Sequence, residues 1–153
     1  MISPTLEDEG MTVAMLKDED REQFRKRLEG LVNPVQLVIF TQTLECEFCA
    51  ETHALVEEVA ALSDKVEGVI YDFVLDKDKA DDYGVDKIPA IAVMGQKDYG
   101  VRFYGMPAGY ELASLLEAMD TVSTGESGLS EATKEALAQI DEPVHFEVFV
   151  TPT

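Results

Sequence analysis

The chain has 153 residues, close to the ~150 of a single domain. Apolar residues make up 46% of it, enough to build a core at this length and to exclude wholesale disorder. Twelve Lys and Arg stand against 31 Asp and Glu, and the resulting charge of −19 repels phosphate backbones and anionic lipids, which argues against nucleic-acid or membrane partners.

Two cysteines are too few for a disulfide-stapled secreted scaffold, and alone they do not close a four-ligand zinc site. No apolar run approaches the ~20 residues of a membrane span. The first residues carry neither the basic flank nor the apolar stretch of a secretory signal, so a cytoplasmic location is expected. The acidity is uneven: residues 31–75 hold eight acids and a single lysine, Lys65. Two readings of this charge stand, an ordinary acidic surface or adaptation to high salt that screens the self-repulsion.

In chain order, residues 1–16 lack periodicity and read as a flexible tail. Residues 18–31 start acidic and end basic, as a helix macrodipole prefers, with Phe24, Leu28 and Leu31 as the apolar stripe. Gly30 and Pro34 are stop signals. Residues 35–41 are a β-rich apolar run that predicts a buried strand. Helical spacing of Phe48, Thr52, Leu55, Val59 and Leu62 predicts a helix over 46–62. A strand is expected at 69–75 and a short helix at 78–83, closed by Gly84. Strands at 90–94 and 101–104 form a hairpin across the turn from Gly95 to Gly100. Leu112, Leu115, Leu116 and Met119 place a helix over 109–120.

Residues 121–128 are small and polar and read as a linker. Ser130 is positioned to cap a helix to Ile140, with Ala136, Leu137 and Ile140 inward, and residues 144–150 predict another strand. Residues 142–153 repeat the Pro, Val and Phe offsets of residues 33–44. The repeat points to a second unit cut off before its own counterpart of the cysteine motif. The expected domains are therefore a tail at 1–16, a unit at 17–122, a linker at 123–129 and the start of a second unit at 130–153. An unpaired strand at 144–150 makes a homodimer through that segment a candidate assembly.

The chemistry concentrates at Cys46-Glu47-Phe48-Cys49, where a strand gives way to a helix. Helix N-termini favour anions, and a thiol there falls from a pKa of ~8.5 toward neutrality. Cys46 is then the nucleophile on a substrate disulfide, and Cys49, one turn on, resolves the mixed disulfide. Zinc is a competing reading, with His53 or His145 as further donors, though one chain remains short of four ligands. A structural disulfide or two reduced core thiols is another. His53 reads first as an ordinary helix-surface histidine.

Ile88-Pro89 opens a strand 40 residues after Cys49. Proline there donates nothing to a ladder. A cis bond would turn the chain tightly and leave a peptide beside the cysteines free to pair with an extended substrate. A trans proline on an edge strand is the plainer alternative, and the upstream cysteine motif tips the reading toward cis.

These features resemble the thioredoxin fold, an α/β architecture. Residues 40–49, 88–92, 97–105 and 109–112 resemble, more narrowly, the N-terminal unit of two-unit protein disulfide oxidoreductases, glutaredoxin-like proteins of archaea and bacteria. The similarity runs from about Leu16 to the end. It implies a central mixed sheet flanked by helices, Cys46 nucleophilic, Cys49 resolving, Pro89 cis, and substrate contacts at Ile88, Pro89 and Phe48. It implies no resident metal and no cofactor beyond a redox-active Cys46–Cys49 disulfide. It also implies protein disulfide substrates, with a thioredoxin-reductase-like reductant or a peroxiredoxin as partner. Glu45, Glu47 and Glu51 depart from the family's more reactive motif, and their charge opposes the helix dipole. A weak nucleophile and a reducing dithiol couple are expected. The alternatives are a docking module whose catalytic half lies in the missing C-terminal unit, or an electron relay to a peroxidase. Phe103 and Tyr104 read as hairpin core and surface, and Arg102 as solvent-facing or paired with a carboxylate.

Overall fold

The computed structural model describes residues 14–150. Nine elements follow one another: α1 (Asp18–Glu29), β1 (Val35–Thr41), α2 (Cys49–Ala60), β2 (Val66–Asp72), α3 (Lys77–Asp82), β3 (Ala90–Met94), β4 (Asp98–Tyr104), α4 (Tyr110–Thr124) and α5 (Glu131–Leu137). The sheet runs β2-β1-β3-β4. β1 pairs parallel with β2 and antiparallel with β3, and β3 pairs antiparallel with β4. This is the mixed sheet with flanking helices expected of a thioredoxin-like fold.

β1 explains why its sequence reads as an unbroken apolar run: it is covered on both faces. Leu37 and Ile39 point into one core with Phe24 and Leu28 of α1, Leu55 and Val59 of α2, and Leu115 and Met119 of α4. Val38 and Phe40 point into the other, with Ala80 of α3 and Ala92 of β3. Leu37, Ile39 and Phe40 are fully buried, and burial of a side chain of that size stabilises by about 1.5–3 kcal/mol. Alternation along one strand thus positions both helical layers.

Several boundaries differ from expectation. Residues 1–13 of the expected tail lie outside the described residues, but Met15 and Leu16 are tied down. Their N–H groups donate to Glu58 Oε2 at 2.8 and 3.1 Å, and Leu16 is buried. α2 starts at Cys49, three residues later than expected, so Cys46 precedes the helix. β2 spans 66–72 rather than 69–75, because its register with β1 ends at Thr41 opposite Asp72. Asp72 then closes a turn, its Oδ1 accepting from the N–H groups of Val74 and Leu75. The last expected strand residues therefore leave the sheet.

α4 continues through Thr124 to a left-handed Gly125 cap, into the stretch expected to be linker. The cause is packing. Val122 is buried, and the buried Ser123 hydroxyl donates to the Asn33 carbonyl at 2.7 Å while accepting the Asn33 N–H at 2.9 Å. Ser130 caps α5 as expected, accepting from the Thr133 N–H. The expected inner face of that helix is not buried: Leu137 and Ile140 are exposed, and none of α5 is buried. Residues 144–150 form no strand among the described residues. Their side chains stand in solvent, because a β-rich segment without a neighbouring strand has no ladder to join.

Candidate active site

One end of the sheet gathers the chemistry-bearing loops. Phe40 sits opposite Tyr71 on β2 and Ala90 on β3, and Ala90 opposite Tyr104 on β4. The residues just past this row are the cysteine loop after β1, the Asp72 turn after β2, Pro89 before β3 and Gly105 after β4.

The cysteine loop is organised locally. The Gln42 side-chain amide donates to the Leu44 carbonyl at 2.6 Å. Glu45 takes φ 56°, the left-handed region that non-glycine residues occupy at a cost. Phe48 is the residue before α2, and its carbonyl accepts from Thr52 twice, from the N–H at 3.0 Å and from Oγ1 at 2.6 Å. Thr52 is fully buried, so this clamp fixes the first turn.

Cys46 and Cys49 are joined by a disulfide with their Cα atoms 5.5 Å apart. The two differ in access: Cys49, the first residue of α2, is 3% exposed, whereas Cys46 is half-buried on the loop. Glu45, Glu47 and Glu51 are all exposed around them. Glu51 lies in the first turn of α2. An open cleft of about 410 Å³ borders the cysteines, lined also by Gln42, His53, Ile70 and Asp72.

The other residues singled out from the sequence occupy different settings. The Ile88–Pro89 bond is cis. Pro89 is buried and its carbonyl accepts from the Gly105 N–H at 2.9 Å, while Ile88 packs against the second core. Phe48 is 47% exposed. His53 lies one turn after Cys49 with Nε2 3.2 Å from Glu57 Oε1, an i,i+4 pair on the helix surface. His145 pairs with Glu147 in the exposed C-terminal segment. Among the described residues no group of three or more His, Cys, Asp or Glu is arranged to hold a metal ion. No helix among them is long and apolar enough to cross a membrane.

Phe103 packs against the first core and Tyr104 is exposed. Arg102 does not face solvent. Its guanidinium donates to Asp98 Oδ1 at 3.0 Å and to the Tyr83 carbonyl at 2.9 and 3.1 Å. The hydrogen bond from Arg102 holds the Asp98 carboxyl below its usual range, against the opposing effect of burial and with help from the Gly100 N–H. Sequence reading missed the cleft-lining Gln42, Ile70 and Asp72. Ile70 and Asp72 sit on the β2 edge, where the shifted strand register concealed them.

No family model matches the chain. A protein named "Probable Thioredoxin" from Methanothermobacter marburgensis is 35% identical over 79 residues, covering 51% of this chain and 87% of that protein. Among solved structures, a protein disulfide oxidoreductase from Aeropyrum pernix superposes with a TM-score of 0.73 at 32% identity, covering 80% of this chain and 54% of that one. The chain thus spans about half the length of that oxidoreductase. The alkylhydroperoxide reductase AhpF from Enterococcus faecalis superposes with a TM-score of 0.69 at 22% identity, a likeness of fold, over 82% of this chain and 61% of that one.

Proposed function

The chain belongs to the thioredoxin family, and from that premise we propose that it exchanges disulfides with other proteins, Cys46 attacking and Cys49 resolving. The reduced protein presents the Cys46 thiolate to a substrate disulfide. A Cys46–substrate sulfur bond forms, the substrate S–S bond breaks, and one substrate thiolate leaves. The Cys49 thiolate then attacks Cys46 Sγ, closes the 46–49 disulfide and releases the second substrate thiolate. Two electrons pass from protein to substrate, and the reverse sequence oxidises a substrate dithiol. No resident cofactor beyond this disulfide enters the scheme.

The observation that carries the reading is the unequal access of the two sulfurs. A partner reaches half-buried Cys46, while Cys49 is held inside by the first turn of α2. Ile88, Pro89 and Phe48 are assigned to the surface that receives substrate. Glu45, Glu47 and Glu51 are assigned to weakening the nucleophile.

Insulin reduction by dithiothreitol tests the scheme. Cys46→Ser should fall to the uncatalysed rate, and Cys49→Ser should accumulate a mixed disulfide on Cys46. Equal rates for wild type and Cys46→Ser would instead support a second reading. In it the chain docks substrates for a catalytic unit elsewhere, which draws support from the 54% coverage of the Aeropyrum protein. Under that reading α5 and residues 144–150 open a further thioredoxin-like unit, consistent with the exposed Leu137, Phe146 and Phe149.

The partners proposed are protein disulfides, a thioredoxin-reductase-like reductant, and a peroxiredoxin to which electrons are relayed. A cytoplasmic location suits a dithiol kept reduced. Self-association through residues 144–150 is checked by light scattering, where truncation after residue 125 should return a dimer to monomer.

A further inference from the structure

The end of the sheet that holds the disulfide also collects most of the exposed apolar side chains of the folded body. Leu44 is 76% exposed and Phe48 projects beside it on the cysteine loop. Val74 and Leu75 stand out from the Asp72 turn, Leu75 at 83% exposure. Tyr104 and Tyr110 flank the same end beyond β3. Up to Gly125, among the described residues, only Val32 and Tyr99 of the exposed large apolar side chains lie away from this end and from the cleft. An apolar collar of this kind marks a contact surface rather than a solubilising one.

The charge on the collar is mostly negative, the exception being Lys87, whose Nζ lies 4.6 Å from the centre of the Tyr104 ring. Glu45, Glu47 and Glu51 interleave with Leu44 and Phe48, and no salt bridge engages them among the described residues. The lysines near this end are already matched: Lys77 with Asp81, Lys79 with Asp82 and Lys87 with Asp86. Residues 1–13 and 151–153 contain no lysine or arginine.

We infer that this collar selects disulfide-bearing protein segments that combine apolar residues with lysine or arginine, and discriminates against acidic ones. The inference rests on the exchange reading above and specifies the substrate class of the same site. Apolar side chains of the partner lie on Leu44, Phe48, Val74 and Leu75. Its cations answer the three glutamates, which steer the encounter and penalise a like-charged substrate. The electron transfer is the one already written: the partner disulfide is reduced and the 46–49 dithiol oxidised.

Two peptides test this, each with one internal disulfide and flanking leucines, one carrying lysines and the other glutamates at the same positions. Oxidation of the reduced full-length chain by each is followed by stopped flow at low salt and at high salt. At low salt the lysine peptide should react at least about tenfold faster, within the range of electrostatic steering. The ratio should fall toward one in ~0.5 M KCl, where the screening length shrinks to a few ångström. A combined Glu45→Gln, Glu47→Gln, Glu51→Gln variant should lose most of the ratio at low salt. Because both peptides meet the same thiolate, any change in its population cancels in that ratio. Leu44→Ser with Leu75→Ser should slow both peptides alike.

A ratio near one in the wild type at low salt, or an unchanged ratio in the triple variant, overturns the selectivity while leaving the exchange reading intact. Unchanged rates in the double leucine variant overturn the apolar half. Failure of both peptides to oxidise the reduced chain refutes the exchange reading itself, and the selectivity with it.

Discussion

Reducing the Cys46–Cys49 disulfide should destabilise the fold by about 1–2 kcal/mol, and the sign of that change is informative. The disulfide closes a ring of sequence separation 3, and the chain-entropy relation for so short a loop gives about 2 kcal/mol of stabilisation. Against this works any thiolate stabilisation that the folded, reduced form enjoys, about 0.3–1 kcal/mol for an exposed helix terminus. Here that opposing effect is curtailed. Cys46 precedes α2 rather than sitting in its first turn, Glu51 occupies that turn, and Glu45 and Glu47 are exposed beside the sulfur. The oxidised protein is therefore the more stable one. By linkage, the couple in the folded chain lies about 20–40 mV below that of the same segment unfolded, at roughly 30 mV per 1.4 kcal/mol for two electrons.

Urea unfolding of the oxidised and the phosphine-reduced protein measures this directly. The reduced midpoint should fall by about 0.5–1 M, for a slope of about 2 kcal/mol/M. Equal midpoints, or a more stable reduced form, would show the thiolate to be strongly stabilised and would refute the weight given to the three carboxylates. A thiolate absorbance titration is the independent check. A Cys46 pKa below about 6 contradicts the balance, and the triple Gln variant should titrate lower than wild type.

Other substitutions probe the scaffold that holds the site. Gly95→Ala places a Cβ against the Val122 carbonyl, a backbone atom at the end of α4 that has no freedom to yield. Thermal unfolding should record a loss of about 1–3 kcal/mol, and an unchanged Tm would mean that the hairpin and α4 are not in the contact described. Arg102→Met removes the guanidinium that donates to the Tyr83 carbonyl and Asp98, leaving Asp98 only the Gly100 N–H, and should cost about 1.5–3 kcal/mol at neutral pH. Because the Asp98 carboxyl is held below its usual range, its contribution is complete above about pH 4 and is lost as pH falls through the lowered folded value. Asp98→Asn should flatten the acid side of the stability profile in that window, and an unaltered slope would place the titration elsewhere.

How much of this was legible in the sequence depended on whether a segment's partners were implied by its own residues. β1 and β3 were, since burial on both faces writes a continuous apolar run. The cysteine pair was, since two residues between cysteines at a strand-to-helix junction carry their own chemistry. β2 was displaced by three residues because Phe73, Val74 and Leu75 are as β-prone as the strand before them. Only the register with β1 and the hydrogen bonds to Asp72 reveal that they leave the sheet. The end of α4 reads as polar linker until Ser123 is seen to be satisfied by Asn33 across 90 residues of sequence. Residues 144–150 show the converse: an alternating apolar pattern that remains unpaired for want of a neighbouring strand.

The same displacement explains why the site's surface was harder to foresee than its sulfurs. Asp72 ends β2, borders the cleft beside the cysteines, and by accepting two N–H groups from the turn fixes Val74 and Leu75 outside the core. A core-like sequence is thereby converted into display. The glutamates on the cysteine loop stand in water as well, so neutralising them should move global stability by no more than about 0.5 kcal/mol. The influence proposed for them is on the nearby thiol and on whatever charge approaches it. If the triple Gln variant leaves folding nearly unchanged while shifting peptide preference tenfold, the acidity around Cys46 is a recognition device rather than part of the architecture beneath it.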